Sequence, residues 1–486
     1  MNDQHNTIPI GSSCEKNIAA FKEITGSSSD LKVTRFEING TACVLLSIEA
    51  MVSSMQLSEQ VFTAVNELNS NGTGDPSSIM RYLSEQALMA PDNILVYDIQ
   101  AAVKLLYSGF VIIITDGVRH AAAVGIQGYE KRTVANPIAE NDLLGSQEAF
   151  VETVRVNMSL IRRRLKDSSL KFEMISSGKL SNTDICLVYI RDKADKKMVE
   201  RIKRILDNTE LESVLGAGFI KPLLEENGEV SLFSETGYTE RPDVLAADLI
   251  QGHIGILIDG SPFCLVYPYM FAKNFETMDD YSSKTYYAVF IKLIRYSAFI
   301  LSVIFPGLYL AAVNFHPELL SLKLLLNLSM GEKTTVVTLF TEMVVIMILL
   351  EIMREASVRL PRAIGTAMSI AGGLIIGDTA VKSGIISSPL LIIIGITATA
   401  SFVLPQLTQQ ITLLRLMFIF AGGFAGFIGI SICSVMTLTN ICSQDLSGIA
   451  LTSPLSPFKR SQIMSVLGKK NPPELERGRT SIRSFR

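Results

Sequence analysis

The run Leu390-Leu391-Ile392-Ile393-Ile394 lies within residues 383–444, a stretch that contains a single charged residue, Arg415. The hydrocarbon core of a bilayer is roughly 30 Å thick, and a helix needs about 20 apolar residues to cross it. The stretch is long enough for more than one such helix. Residues 131–248, in contrast, are dense in lysine, arginine, aspartate and glutamate. This difference predicts a large soluble module followed by a polytopic membrane module.

The composition agrees with a chain of this kind. The 486 residues have a mean hydropathy of +0.33 and a charged fraction of 19%, below the roughly 25% typical of soluble domains. A net charge of −3 gives no global basic field, so no nucleic-acid partner is expected. The six cysteines are scattered, with no CxxC spacing and no histidine at ligand spacing, which argues against a zinc site and a disulfide framework.

Both ends of the chain are predicted to be cytoplasmic. Residues 1–30 are polar, lack the apolar core of a signal peptide and are expected to be disordered. An excess of lysine and arginine marks the cytoplasmic side of a membrane protein. The C-terminal tail, residues 446–486, is basic: against two glutamates it has Lys459, Arg460, Lys469, Lys470, Arg477, Arg479, Arg483 and Arg486.

The soluble module is predicted to be α+β, with two subdomains over residues 31–138 and 139–285. Asn39-Gly40 stands between two alternating segments and is a strong hairpin signal. Further on, residues 109–117 (Gly-Phe-Val-Ile-Ile-Ile-Thr-Asp-Gly) align without gaps on residues 252–260 (Gly-His-Ile-Gly-Ile-Leu-Ile-Asp-Gly). A duplicated α/β unit explains this repeat, and so do two independent hairpins of similar composition.

The basic run Arg162-Arg163-Arg164 ends a helix predicted over residues 147–166. Basic residues near the negative pole of a helix dipole are typical of a solvated helix end. The alternative is a binding site for phosphate or anionic lipid.

An all-α membrane domain with four to six transmembrane helices is predicted over residues 286–445. Two cytoplasmic ends require an even number of crossings. A helix over residues 334–358 contains four charged residues. Two arrangements satisfy this requirement. If the charged helix lies in the membrane interface, four spans remain. If it crosses, residues 319–329 must also cross or re-enter, which gives six. The strong candidates for spanning are residues 295–313, 363–381, 385–404 and 411–438.

The charged helix contains the candidate functional residues. A charge at mid-bilayer costs several kcal/mol, so such residues face a partner, the protein interior or water. Glu351 and Arg354 are spaced i,i+3, and Glu355 and Arg359 are spaced i,i+4, so the two arginines are structural ion-pair partners. Glu342, Glu351 and Glu355 are candidate residues of an ion pathway. Alternatively, these charges lie paired and solvated at a cytoplasmic interface.

Small residues recur at four-residue spacing in two apolar stretches. Gly373 and Gly377 form one pair, and Gly422 and Gly426 form the other. Glycines at this spacing let helices approach closely in lipid. We expect them to mediate helix packing, within one subunit or between subunits.

Sequence motifs of catalysis are absent. No P-loop, GxSxG, HExxH or GxGxxG pattern occurs in a suitable context, and the four histidines are isolated. An enzyme is therefore not expected, and neither is a cofactor or a metal.

Several motifs in a fixed order resemble one known family. Glu240-Arg241-Pro242 is followed by Asp259-Gly260-Ser261-Pro262 and then by Asp279-Asp280-Tyr281. The similarity continues through residues 351–361 (Glu-Ile-Met-Arg-Glu-Ala-Ser-Val-Arg-Leu-Pro) and 372–377 (Gly-Gly-Leu-Ile-Ile-Gly). In this order the motifs resemble the A subunit of bacterial spore nutrient-germinant receptors, the GerA family. One departure is Glu-Lys-Thr-Thr-Val at residues 332–336, where the family has a Pro-Phe-Pro element. A full receptor subunit and a divergent paralogue both remain open.

The resemblance implies a multi-pass protein of the spore inner membrane with a cytoplasmic N-terminal region. Its partners would be the lipid bilayer, a transporter-like B subunit and a lipoprotein C subunit. Several copies of the A subunit would oligomerise and form a nutrient-gated ion channel with the B and C subunits. The competing interpretation is a non-conducting scaffold that assembles receptor complexes. A secondary transporter is disfavoured, because no inverted repeat relates residues 290–360 to 363–440.

Overall fold

The structure is a computed structural model that describes residues 8–71, 74–85, 93–128, 137, 140, 145–225, 231–320, 337–360, 373, 382, 386–446 and 448–453. Two antiparallel five-stranded sheets occupy the N-terminal part, and long apolar helices follow them. The predicted order of an α+β region and then a helical region is confirmed.

The first sheet is covered by helices on both faces. Alternate residues of its central strands point to opposite sides: Val44, Leu46 and Ile112 pack with α1 and α5, whereas Leu45 and Ile113 pack with α3 and α4. The strands have the order β1-β2-β4-β5-β3. The elements are α1 (Cys14–Thr25), β1 (Leu31–Ile38), β2 (Thr41–Ile48), α2 (Ser54–Leu57), a π-helical turn (Ser58–Phe62), α3 (Thr63–Asn71), α4 (Pro76–Glu85), β3 (Asn93–Val96), α5 (Ile99–Leu106), β4 (Phe110–Thr115) and β5 (Ala121–Gly125).

The predicted hairpin at Asn39-Gly40 is confirmed. It joins β1 to β2, and both turn residues have positive φ, 49° and 82°. Two positive φ angles in a two-residue loop match the twist of the paired strands, and asparagine followed by glycine tolerates them best.

The second sheet repeats the topology of the first, with the strand order β6-β7-β9-β10-β8. Helices α6 and α9 cover one of its faces, and α7 and α8 pack on the other. The elements are α6 (Val154–Arg164), β6 (Leu170–Ser177), β7 (Thr183–Ile190), α7 (Lys196–Asp207), α8 (Ala217–Leu224), β8 (Gly237–Thr239), α9 (Pro242–Gln251), β9 (Ile254–Ile258) and β10 (Cys264–Tyr267).

The two halves also share their local contacts, which favours duplication over two independent hairpins. Asp116 Oδ1 accepts the backbone N–H of Cys14 at the start of α1, at 2.9 Å. Asp259 Oδ1 accepts the backbone N–H of Val154 at the start of α6, also at 2.9 Å. Two unrelated hairpins would have no reason to cap distant helices in the same way. A second equivalent pair of contacts joins Gly117 N to Ser12 O and Gly260 N to Glu152 O, both at 2.7 Å.

The prediction of disorder for residues 1–30 is wrong for residues 14–25, which form α1. Ile18 and Phe21 lie on one face of this helix and are buried against the first sheet. The segment looks polar because lysines and glutamates cover its other face. Its large apolar residues, Ile18, Phe21 and Ile24, give only a weak periodic signal, and they pack only when the sheet is present.

The prediction of a solvated helix end at Arg162-Arg163-Arg164 is wrong for Arg162, whose side chain is 1% exposed. Arg162 Nη2 lies 2.7 Å from Oδ2 of Asp30, the residue that precedes β1 of the first sheet. Its guanidinium stands 4.4 Å from the ring centre of Tyr107 and 4.8 Å from that of Phe172. A carboxylate and two rings replace its water, so this arginine joins the two subdomains.

The C-terminal part contains α10 (Asp279–Ser282), α11 (Thr285–Phe315), α12 (Leu339–Arg359), α13 (Ser388–Phe402) and α14 (Thr408–Cys442). Among the described residues, two helical segments are long and apolar enough to cross a membrane, Thr285–Phe315 and Pro405–Cys442. They contain the predicted spans 295–313 and 411–438. The predicted span 363–381 lies outside the described residues, apart from Gly373. The number of crossings therefore stays a prediction.

Helix α14 consists of two arms. Gly426 has φ 58° and ψ −142°, which breaks the helix and separates residues 408–425 from 427–442. Near the start of the first arm, Gln406 accepts a hydrogen bond from Tyr269 at 2.7 Å. Near the end of the second arm, Asn440 Oδ1 accepts one from the backbone N–H of Leu232 at 3.1 Å. Both ends contact the second subdomain, so the arms form a helical hairpin.

The glycines predicted to pack helices differ in their surroundings. A Cβ placed on Gly422 would lie 2.2 Å from the carbonyl oxygen of Gly307 in α11. One placed on Gly426 would lie 3.0 Å from Phe315. Gly373 has no neighbour within 4 Å among the described atoms, and Gly377 lies outside the described residues. Helix packing by Gly373 and Gly377 stays a prediction.

Candidate functional site

Helix α12 has one buried face and one exposed face. Glu342 and Met343 lie on the buried face. Ile348, Glu351 and Glu355 lie on the opposite face, where the side chain of Glu351 is 25% exposed and that of Glu355 is 61% exposed. The three acids of this helix therefore do not share one surface. The helical period of 3.6 residues accounts for this, because positions nine apart fall on opposite sides.

Glu351 connects α12 to the start of α14. Its carboxylate pairs with Arg354 and accepts a hydrogen bond from Thr412 Oγ1 at 2.9 Å. Arg354 Nη1 also donates to Thr412 Oγ1, at 3.2 Å. One turn further on, Arg359 pairs with Glu355 at 2.6 Å. Both predicted ion pairs are present, and the first is tied to a neighbouring helix.

Glu342 is fixed inside the protein. Its side chain is 3% exposed and accepts the backbone N–H of Ser387, the residue that precedes α13. A carboxylate at the N-terminus of a helix is stabilised by the free N–H groups and by the helix dipole. This geometry gives Glu342 a role in holding α13 against α12.

Arg415 is the single charged residue of residues 383–444 and is buried between three helices. Its Nε donates to the carbonyl oxygen of Ser302 in α11 at 2.9 Å, and its Nη1 lies 3.9 Å from the sulfur of Met347 in α12. No carboxylate among the described residues lies within ion-pair distance of it. The sequence marks this arginine by its isolation, but not by its contacts.

The Glu-Arg-Pro motif holds residue 140 in place. Glu240 Oε1 accepts the backbone N–H of Glu140 at 2.8 Å, and Arg241 Nη1 donates to the carbonyl oxygen of Glu140 at 3.2 Å. Thr239 Oγ1 donates to its carboxylate at 2.6 Å. Pro242 occupies the first turn of α9, where its missing N–H costs nothing. The motif is therefore a structural clamp at the edge of the second sheet.

The second motif, residues 259–262, forms the turn between β9 and β10. Asp259 caps α6, as described above, and Gly260 has φ 83°, a conformation that favours glycine. Ser261 is buried, and its hydroxyl accepts the backbone N–H of Phe263 at 3.4 Å. With Pro262, these residues shape a turn that fastens a helix to the sheet.

Glu140 also connects the second subdomain to the helices. Gln406, between α13 and α14, donates to Glu140 Oε1 at 3.2 Å, while its own carbonyl oxygen accepts a hydrogen bond from Tyr269. Burial raises the pKa of Glu140 from its usual 4.5 to about 7, partly offset by the hydrogen bond from Thr239. We call Glu140, Tyr269 and Gln406 the junction. A cavity of about 280 Å³ lies beside it.

Sequence reasoning missed the junction. Glu140 bonds to Thr239 and Gln406, which lie 99 and 266 positions further along the chain. No spacing in one sequence can indicate such contacts. Within the part of the chain that the structure describes, no group of three or more histidine, cysteine, aspartate or glutamate side chains is arranged to hold a metal ion.

Two sheets of one topology, a polar junction and a bundle of apolar helices define a protein in which an α+β module is joined to a helical module. The family profile described as "Bacillus/Clostridium GerA spore germination protein" matches residues 19–480. The chain therefore belongs to the GerA family of spore germination proteins, and the resemblance seen in its motifs is confirmed.

Two relatives compared by sequence support this assignment. The chain is 32% identical over 470 residues to spore germination protein KA of Bacillus subtilis (strain 168), which covers 96% of this chain and 86% of that protein. It is 33% identical over 360 residues to spore germination protein GerLA of Bacillus cereus, with 73% and 72% covered. The crystal structure of the N-terminal domain of the A subunit of the Bacillus megaterium spore germinant receptor GerK3 is 27% identical, with a TM-score of 0.44, and the match covers 55% of this chain and 99% of that one.

Proposed function

We propose that this protein is the A subunit of a germinant receptor in the spore inner membrane. Several copies assemble in the bilayer with B and C subunits into a nutrient-gated ion channel. Membership of the GerA family supports the receptor role. The exposed, acid-bearing face of α12 supports the channel role, and it is the observation on which the proposal depends.

The contacts of the helices support a multi-pass arrangement. Phe340, near the start of α12, lies 5.0 Å from Phe424 at the end of the first α14 arm, ring centre to ring centre. Glu351, near the end of α12, contacts Thr412 at the start of that arm. Helix α12 and the first arm of α14 thus run side by side in opposite directions. In the proposed arrangement α11, α13 and the second arm of α14 span the same thickness. With the predicted span 363–381, all these helical segments make six crossings and leave both chain ends cytoplasmic.

In an oligomer, the exposed face of α12 would line a shared aqueous path. Glu351 and Glu355 lie at the level of the soluble module, where rings of carboxylates attract cations. Ile348 and Ile352 share this face and are exposed in one copy. Rings of such side chains form a constriction that closes by losing its water. Glu342 contributes indirectly in this arrangement, by positioning α13.

Ion flux through reconstituted receptor tests the proposal. The chain, with its B and C subunits, is placed in liposomes, and cation efflux is recorded after germinant is added. We expect Glu355→Gln to lower the preference for cations over anions several-fold. Glu15→Gln is the matched control, because Glu15 forms an exposed pair with Arg35 in the soluble module. Unchanged selectivity in both Glu355→Gln and Glu351→Gln would remove these acids from the pathway.

The scaffold remains the second candidate function, because both exposed acids of α12 are already paired with arginines of the same helix. Local pairing needs no aqueous path. If the complete receptor assembles in liposomes, binds germinant and conducts no ion, the scaffold replaces the channel.

A further inference from the structure

The cavity beside the junction lies between the second subdomain and the helical module. Helix α9 and the segment from Lys273 to Tyr281 form one side. Arg295 of α11 and the turn at residues 403–406 form the other. Its volume of about 280 Å³ is at the lower end of small-molecule sites, so it suits a compact ligand of few heavy atoms.

Glu140 is the one carboxylate on the cavity wall that forms no ion pair among the described residues; the nearby Arg241 lowers its pKa less than burial raises it. Asp248 pairs with Lys273, and Glu276 lies 3.5 Å from Lys292. Within the described part of the chain, the carboxylate of Glu140 accepts hydrogen bonds from two neutral groups, the hydroxyl of Thr239 and the amide of Gln406. A desolvated carboxylate gains most from a cation brought next to it.

The cations on the cavity wall are already paired. Arg241 binds Asp243 and Arg295 binds Asp280, at 2.6 and 2.7 Å, and Lys273 binds Asp248. Among the described residues, the wall therefore has one carboxylate outside any ion pair, whereas each of its lysine and arginine side chains belongs to one. A ligand with an anionic group would have to break an existing ion pair, whereas a positive ligand would not.

Aromatic and aliphatic side chains complete the wall. Tyr238, Tyr269 and Tyr281 line the cavity together with Val244 and Met278. Tyrosine rings attract ammonium groups through their negative faces, and the aliphatic side chains suit a short hydrocarbon body.

We propose that this cavity binds a small organic ammonium ion, with its charged nitrogen against Glu140 and its apolar body among the three tyrosines. The site goes beyond ion conduction and does not depend on it. Because Gln406 belongs to the same cluster, the ligand would be bound where the soluble module contacts the turn between α13 and α14.

The site has a predicted pH dependence. The charged groups that face Glu140 are Glu240, Arg241 and Asp248, and its pKa of about 7 arises mainly from burial. Below this value the carboxyl group is protonated and neutral. An alkylammonium ion, with a pKa near 10 like that of lysine, keeps its charge throughout. Binding should therefore weaken as the pH falls below about 7, by up to tenfold per pH unit.

Calorimetry on the full-length chain in detergent tests the proposal with n-butylammonium chloride as the probe. We expect binding at about pH 8 that weakens at about pH 6. Glu140→Gln should raise the dissociation constant at least about tenfold. Glu37→Gln is the control, because it removes an exposed carboxylate of β1 that forms no ion pair among the described residues, and it should bind as the original protein does.

A second variant keeps the test decisive if Glu140→Gln does not fold. Ala247→Phe leaves Glu140 intact but fills the cavity that Ala247 lines, and it should abolish binding. Three results would overturn the proposal. They are an affinity for n-butanol equal to that for n-butylammonium, displacement of n-butylammonium by KCl at equal concentration, and binding that survives in both variants. None of these results depends on ion flux, so they leave the channel proposal to its own experiment.

Discussion

At the scale of single residues, Glu140 shows how burial without an ion pair changes a carboxyl group. Its pKa is raised from 4.5 to about 7 by desolvation, although Thr239 donates a hydrogen bond to it. Glu148, in contrast, is paired with Arg163 and Arg164, and its pKa is lowered, because these ion pairs outweigh the cost of its partial burial. The difference in pKa between the two glutamates follows from their partners.

This raised pKa predicts a pH-dependent stability. Between about pH 4.5 and 7 the folded protein retains a proton on Glu140 that the unfolded chain releases. The contribution of this group to the free energy of unfolding therefore falls as the pH rises through this window and is constant above it. Glu140→Gln should remove that decline. Unfolding by urea over a pH series measures it.

Glu37→Gln serves as the control for this prediction, because Glu37 is an exposed residue of β1. Its replacement should leave the slope of stability against pH unchanged. A variant at position 140 with the slope of the original protein would show that the Glu140 carboxyl group is not desolvated.

At the scale of helices and strands, close contacts between backbones determine how near the helices of the helical module pack to one another. Gly422→Ala would place a methyl group 2.2 Å from the carbonyl oxygen of Gly307, so α11 and α14 would have to separate. We expect a loss of about 1–3 kcal/mol in the free energy of unfolding. Gly395→Ala, in α13, meets no described atom within 4 Å and should be neutral or slightly stabilising. Thermal unfolding in detergent compares the two.

The position of Glu342 gives a second prediction at this scale. Glu342→Gln keeps the shape of the side chain but removes its charge at the N-terminus of α13. We expect a loss of about 1–2 kcal/mol in stability, with ion selectivity unchanged. Glu355→Gln, on the exposed face, should instead change ion selectivity and leave the stability unchanged. Altered selectivity in Glu342→Gln at full stability would instead place Glu342 in the ion pathway.

How much the sequence predicts depends on how local the signal is. Asn39-Gly40 indicates its own turn, and the repeat ending at Asp116-Gly117 and Asp259-Gly260 indicated a duplicated unit as one of two explanations. The Glu351–Arg354 pair follows from helical spacing alone. In contrast, α1, the buried Arg162 and the junction at Glu140 depend on segments brought together from across the chain, and no single-sequence pattern contains that information. The hairpin of α14 was missed because apolar residues continue through Gly426.

At the scale of the whole molecule, the Arg162–Asp30 pair predicts strong coupling between the subdomains. Its side chains are 1% and 2% exposed. Arg162→Met would leave Asp30 buried without a partner, which should cost about 3–5 kcal/mol. Arg155→Met is the matched control, because Arg155 pairs with Glu49 but is 46% exposed, and it should cost less than about 1 kcal/mol. Chemical unfolding of the purified protein compares them. Similar losses in both variants would contradict a special role for Arg162.

The helical hairpin of α14 predicts which side of the membrane two residues face. Cys442, at the end of the second arm, is exposed and should react with an impermeant maleimide from the cytoplasmic side. A cysteine introduced by Glu318→Cys, just after α11, should react from the other side. If α14 crossed the membrane once, Cys442 would also react from that other side. Labelling of intact and inverted vesicles distinguishes the two arrangements.

The buried guanidinium between the two sheets has a mechanical consequence. Two similar halves could move relative to each other, but the buried Arg162–Asp30 pair joins them. A displacement of the N-terminal half should therefore move the second half with it. Gln406 contacts the second half through Tyr269 and Glu140, so a displacement of that half should reach the turn between α13 and α14.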